Sequence, residues 1–144
     1  PSENVHRIKG ENRPEEEVIN YGKVLDKLLP KKGKIPSFDL VILGMGDDGH
    51  TASIFPHQIS LWEAEKNCVV ATHPESGQNR ISLTGKIINN AGIVAFLVTG
   101  GGKAEKVSEI HKCEGKYKSY PASSVAPSSG QLWWFLDKDA AKEL

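Results

Sequence analysis

Phe38-Asp39-Leu40-Val41-Ile42-Leu43-Gly44-Met45-Gly46-Asp47-Asp48-Gly49-His50-Thr51-Ala52-Ser53 is the stretch from which the fold is read. Its first six residues are nearly all apolar, the pattern of a strand covered on both faces in a parallel sheet, and glycines end it. A second such run, Ile93 to Thr99, leads into Gly100-Gly101-Gly102-Lys103. Further strands are expected at Asn67 to Thr72, Arg80 to Leu83 and Gln131 to Leu136, where Trp133-Trp134-Phe135 reads as core packing. Upstream, Val18, Tyr21, Leu25 and Leu28 recur at helical spacing between Pro14 and Leu29. Pro14 and Glu15 to Glu17 suit the start of that helix, and Pro30 stops it. Shorter helical segments are expected at Thr51 to Phe55, Lys86 to Asn90, Lys103 to His111 and Asp137 to Leu144, and Lys31 to Lys34 reads as a solvated loop. The alternation implies one α/β domain over residues 1–144 with a mainly parallel sheet, whose ligands sit beyond the carboxyl ends of the strands.

Bulk properties remove several classes of function. The 144 residues carry 18 Lys plus Arg and 18 Asp plus Glu, so no net field draws in nucleic acid or an anionic membrane. No run approaches the roughly 18 apolar residues of a membrane span, and Pro1-Ser2-Glu3-Asn4 has no signal-like apolar core, so a soluble cytoplasmic protein is expected. Cys68 and Cys113 read as reduced structural thiols. His57, His73 and His111 lack ligand-like spacing, so no metal and no cofactor are expected.

The two glycine-rich strand exits hold the candidate chemistry. Gly44 to Gly49 fits the dinucleotide pattern G-x-G-x-x-G, but Asp47 and Asp48 put negative charge where a pyrophosphate would rest, and Pro56 leaves little helix behind it. An acid–base site explains the residues better. Gly44, Gly46 and Gly49 let the backbone turn sharply, and His50 is the side chain suited to proton transfer near neutrality, with Asp48 able to fix its tautomer or hold a water. The competing reading is that Asp47 and Asp48 cap a short helix containing Ser53 and that His50 is a surface residue. Gly100 to Lys103 is not a Walker A loop, since Leu97 stands at the first glycine position and Ala104 replaces the hydroxyl. Free N–H groups at a helix start, beside the Lys103 ammonium, suit a single phosphate; a flexible turn with a surface lysine is the alternative. The Arg80 guanidinium could grip an anion, or simply be a solvated strand flank.

Taken in order, Phe38 to Pro56, Arg80 to Thr84, Thr99 to Ala104 and Pro121-Ala122-Ser123 resemble the 6-phosphogluconolactonase family. The match is closest over Leu43 to Pro56, and Val5-His6-Arg7 and Leu132 to Asp137 are also similar. The resemblance implies a mainly parallel, doubly wound, Rossmann-like sheet with helices on both faces. It covers the C-terminal portion only, without the family's N-terminal strands and sugar-phosphate loop. The implied activity is hydrolysis of 6-phospho-D-glucono-1,5-lactone to 6-phosphogluconate in the oxidative pentose phosphate pathway. His50 would be the general base and Asp48 its helper; Arg80 and Lys103, with Gly101 and Gly102, would lie near the substrate phosphate, and the Gly44, Gly46 and Gly49 backbone near the reacting group. The partner implied is a small phosphorylated sugar lactone. The related glucosamine-6-phosphate deaminases carry a glutamate five residues after the histidine, where this chain has Phe55. A sugar-phosphate-binding fragment without catalysis is the third reading.

Overall fold

The structure is a computed structural model and describes residues 1–128 and 130–144. Helix α1 (Pro14–Leu28) starts as its sequence dictates: Pro14 supplies a preset φ, and Glu15, Glu16 and Glu17 complement the positive end of the helix. Val18 and Leu25 on one face pack with Cys68 and, partly buried, Tyr21, Val70 and Ile81. Lys31 to Lys34 is not a plain loop. Two short strands, β1 (Lys31–Lys32) and β2 (Ile35–Pro36), pair antiparallel around Gly33, whose φ of 67° suits a tight turn.

Strand β3 (Leu40–Leu43) is followed by a 3₁₀ segment, Pro56–Glu63, and then by β4 (Cys68–Thr72) and β5 (Asn79–Leu83). These last two pair with each other antiparallel, as a ribbon separate from the main sheet, and α1 packs on them. After the short helix α2 (Gly85–Ile88) come β6 (Ile93–Val98), α3 (Ala104–Lys112) and β7 (Gln131–Leu136). The main sheet has the order β3-β6-β7 and is parallel throughout, with Leu43 opposite Phe96 and Phe96 opposite Trp134. The chain is thus an α/β structure of parallel and antiparallel pairings flanked by helices.

Alternation along the strands sorts the apolar residues into two sets. Val41, Leu43, Val94, Phe96 and Val98 point to the side covered by Ile88 of α2 and Val107 of α3, and Trp134 stacks on Phe96 at 4.0 Å. Leu40, Ile42, Leu97, Trp133 and Phe135 point to the other side and are exposed. Two sequence expectations differ from the structure: among the described residues β3 is covered on one face only, and of the aromatic run only Trp134 joins the core. A nearly continuous apolar run reports that both faces are apolar, not that this chain covers both. Asp137 to Leu144 forms successive turns instead of the expected helix, and the Asp137 carboxylate accepts from the N–H groups of Gly100 and Ala140. Cys113 is exposed, whereas Cys68 is buried, and burial pushes its thiol up to about 12.

Ahead of α1, the N-terminal segment is tied down by Glu17, which accepts from the Lys9 N–H at 2.9 Å and from Asn12 at 2.7 Å. The Lys9 bond first and the Asn12 bond second hold its carboxyl below the usual carboxylate range. A depressed carboxyl stabilises above its unfolded pKa, and that contribution disappears as pH falls through the folded value. Hydrogen-exchange protection at Lys9 should therefore fade as the pH drops below about 4, and Glu17→Gln should remove that dependence. The open sheet face makes a second prediction. Phe96→Ala should cost about 3 to 5 kcal/mol in urea unfolding, whereas Phe135→Ala should stay within about 0.5 kcal/mol; equal losses would mean that the Phe135 face is covered.

Candidate active site

Because β3 and β6 are adjacent and parallel, their carboxyl ends open at the same edge of the sheet. The two exits lie against each other: a Cβ on Gly102 would sit 3.5 Å from Oδ1 of Asp47. The two glycine-rich exits are therefore neighbours at Asp47 and Gly102.

The first exit is a turn closed on itself. The Gly46 N–H donates to the His50 carbonyl at 3.0 Å, the Gly49 N–H donates to the Gly46 carbonyl at 3.0 Å, and the buried Thr51 hydroxyl donates to the Gly44 carbonyl at 2.8 Å. Gly49 has a φ of 82°, and a Cβ there would lie 2.7 Å from Cβ of Tyr120, so only glycine fits. Tyr120 is held in turn by its hydroxyl, which donates to Glu109 of α3. Burial first, then the Glu109 carboxylate, pushes that phenol up to about 12, so it remains a donor at neutral pH. The expected helix from Thr51 to Phe55 does not form. Ala52 takes a φ of 51°, Thr51 bridges Ile54, and the Ser53 N–H donates to the Ser82 hydroxyl at 3.1 Å, tying the turn to β5.

Asp48 does not cap a helix either. Its Oδ1 accepts from the His50 N–H at 3.0 Å and lies 2.7 Å from His50 Nδ1. An ionised carboxylate can only accept, so Nδ1 carries the proton and Nε2 keeps its lone pair. Among the described residues Nε2 has no hydrogen-bond partner, and the His50 side chain keeps 28% of its surface exposed. This is the arrangement of a general base: one nitrogen oriented by a carboxylate, the other open to solvent.

The anion-binding candidates border the same turn. Arg80 CZ lies 5.8 Å from the centroid of the Phe55 ring, on which the His50 imidazole also rests, at 4.5 Å. In the second exit the Gly100 N–H is not free, since the Asp137 carboxylate accepts it at 3.0 Å and 3.1 Å. The N–H groups of Gly101 and Gly102 have no partner among the described residues. Lys142 was not singled out by the sequence reading, yet its Nζ comes within 3.3 Å of a Cβ placed on Gly101. Its only sequence signal is its place in a polar tail. Asp47 sets a negative charge against Gly102, which an anion bound there would have to tolerate. Of the glycine amides proposed near the reacting group, those of Gly46 and Gly49 serve the turn itself, and the N–H groups of Met45, Asp47 and Asp48 have no partner among the described residues. Those residues hold no group of three or more His, Cys, Asp or Glu placed for a metal, and no helix long and apolar enough to cross a membrane.

Fold and site thus define an α/β protein with an acid–base pair at the carboxyl edge of a parallel sheet. The family described as glucosamine-6-phosphate isomerases/6-phosphogluconolactonase matches residues 1–134, and the chain belongs to it. A 6-phosphogluconolactonase of Aggregatibacter actinomycetemcomitans is 46% identical over all of this chain and 60% of its own length. The crystal structure of devB protein superposes with a TM-score of 0.92 at 42% identity, covering 100% of this chain and 60% of that one. The 6-phosphogluconolactonase of Trypanosoma brucei gives 0.79 at 32% identity over 91% and 54%. The chain therefore spans about 60% of the length of the first two of these proteins.

Gly49→Ala should cost more than about 1 kcal/mol, because the substitution meets both a left-handed φ and the Tyr120 ring. Denaturant unfolding measures it; a neutral result would show that the turn can relax away from Tyr120.

Proposed function

We propose that this chain is the catalytic, C-terminal portion of a 6-phosphogluconolactonase, hydrolysing 6-phospho-D-glucono-1,5-lactone to 6-phosphogluconate in the oxidative pentose phosphate pathway of the cytoplasm. The observation that carries the reading is the His50–Asp48 pair, with Nδ1 held at 2.7 Å and Nε2 open. A lactone is an ester, so its hydrolysis needs a positioned water, a base, and donors for the carbonyl oxyanion. Nε2 of His50 takes a proton from the attacking water while the oxygen bonds to the lactone carbonyl carbon. The imidazolium, steadied by Asp48, then returns the proton to the ring oxygen as the C–O bond breaks. No redox change or metal is required by this sequence of steps. Arg80, and Lys103 with the amides of Gly101 and Gly102, hold the phosphate by charge-assisted hydrogen bonds, and the Asp47 and Asp48 amides are oxyanion donors that the turn leaves open. Deamination is disfavoured because Phe55, buried and apolar, stands where an acid would be needed.

The sheet supports the domain reading. Leu40, Ile42, Leu97, Trp133 and Phe135 form an apolar face that nothing in the described residues covers, and β3 pairs on one side only. The relatives named above extend well beyond the length matched here. That additional length is the natural cover, supplying strands beside β3 and helices over the open face, which would complete a doubly wound, Rossmann-like sheet.

His50→Asn should lower turnover of the phosphorylated lactone about 10² to 10⁴-fold in a protein of the relatives' full length carrying these residues, with spontaneous hydrolysis subtracted. Lys103→Ala should raise KM while leaving the turnover number nearly unchanged. A folded His50→Asn protein with most of its activity would remove His50 as the base. Turnover by the present chain alone would show that the additional length is not needed for chemistry, and absence of turnover even in the full-length protein would favour a binding role.

A further inference from the structure

Phe55 lies one residue before Pro56 and keeps only 1% of its surface exposed. As a core phenylalanine it would need no comment, but its neighbours are polar and ionisable. The His50 imidazole rests on it at 4.5 Å between ring centroids, tilted by 45°. The Arg80 guanidinium lies over the same ring at 5.8 Å, within the range of a cation–π contact. His73 meets it edge-on at 5.2 Å, and His57 lies at 6.0 Å. One aromatic side chain therefore touches both the candidate base and the arginine assigned to the phosphate.

The imidazole has few other restraints. Asp48 fixes Nδ1, but a single hydrogen bond leaves the ring free to swing about it. Gly46 lies against the Nδ1 and Cε1 atoms of the ring, so that any side chain at position 46 would run into it. The imidazole is thus confined between the Gly46 backbone and the Phe55 ring, with Nε2 left open. Arg80 is also lightly held: its Nε donates to Gln78 at 3.4 Å, and no carboxylate pairs with it among the described residues. A long side chain without an ion-pair partner keeps its rotamer through what it packs on, and here that is Phe55.

The geometry points to Phe55 as the positioning residue of this site, a rigid floor that sets the orientation of His50 and the spacing between His50 and Arg80. The proposal rests on the hydrolytic reading for its kinetic consequence: with phosphate held by Arg80 and water activated by His50, a fixed spacing selects substrates whose phosphate and reacting carbonyl are that far apart. With 1% of its surface exposed, Phe55 is too buried to reach a bound substrate itself. It acts through the two residues it carries, and loss of the ring would loosen both at once.

Two measurements separate this from plain core packing. In the present chain without substrate, the Hα–Hβ coupling signals of His50 should report one χ1 rotamer, and should move toward the averaged values of a free histidine in Phe55→Leu, which keeps an apolar side chain at the position. Phe55→Met is the second variant if Phe55→Leu does not fold, and Phe55→Tyr, which keeps the ring, should retain the couplings of the parent. In the full-length protein, Phe55→Leu should lower kcat about tenfold and raise KM several-fold. In the His50→Asn background the kcat part of that effect should vanish, because there is no base left to misplace. Folded variants whose His50 signals do not move would overturn the proposal, as would a kcat loss that simply adds to that of His50→Asn. Should the full-length protein not hydrolyse the lactone, the hydrolytic reading falls, and the NMR measurement still decides whether Phe55 holds His50.

Discussion

The parallel pairing of Leu40–Leu43 with Ile93–Val98 is the constraint on which the rest depends. Parallel neighbours release their chains at the same end, so the register that sets Leu43 beside Phe96 also brings the two glycine-rich exits together, Asp47 against Gly102. An antiparallel pairing of the same strands would have sent the exits to opposite ends of the sheet. The pairing is held by the inner face, where Val41, Leu43, Val94, Phe96 and Val98 lie beneath α2 and α3. Removing that much apolar surface from water, at roughly 25 cal/mol per Å², outweighs any single contact within the site.

The sequence displays what depends on local pattern. Alternating elements, the boundaries of β6 and β7, and the glycine turn with its His50–Asp48 pair are all readable, because period, glycine placement and residue chemistry act within a few residues. What it hides is set by long-range geometry. Trp133 and Phe135 look like core residues, and are so in chemistry, yet whether they are covered depends on which chain lies across them. The free amides expected at Gly100 are occupied by Asp137, far along the sequence. The helix expected after His50 gives way to a bridge and a left-handed Ala52, since Ser82 takes the Ser53 N–H and Tyr120 presses on Gly49. The support given by Tyr120 and Glu109 to the turn carries no motif at all.

The structure separates the part of the site proposed to perform proton transfer from the part proposed to complete the sheet. Every contact that shapes the His50 turn comes from residues within this chain: Thr51 on Gly44, Tyr120 on Gly49, Ser82 on Ser53, and Phe55 beneath the imidazole. Several of these, including Thr51, Ser82 and Phe55, are essentially inaccessible to water. The open apolar face lies on the opposite side of the sheet from the core that supports them. A histidine held this way is preorganised for the proposed role of base by contacts within this chain, which is where electrostatic and orientational catalysis draws its strength. The residues proposed for phosphate recognition are less firmly held: Arg80 rests on an aromatic ring without a carboxylate partner among the described residues, and Lys103 stands in a loop bordered by Asp47 and Asp137. Within one protein the two proposed functions would therefore respond differently to loss of the proposed covering chain, with the geometry of His50 persisting while affinity for the proposed phosphorylated substrate falls.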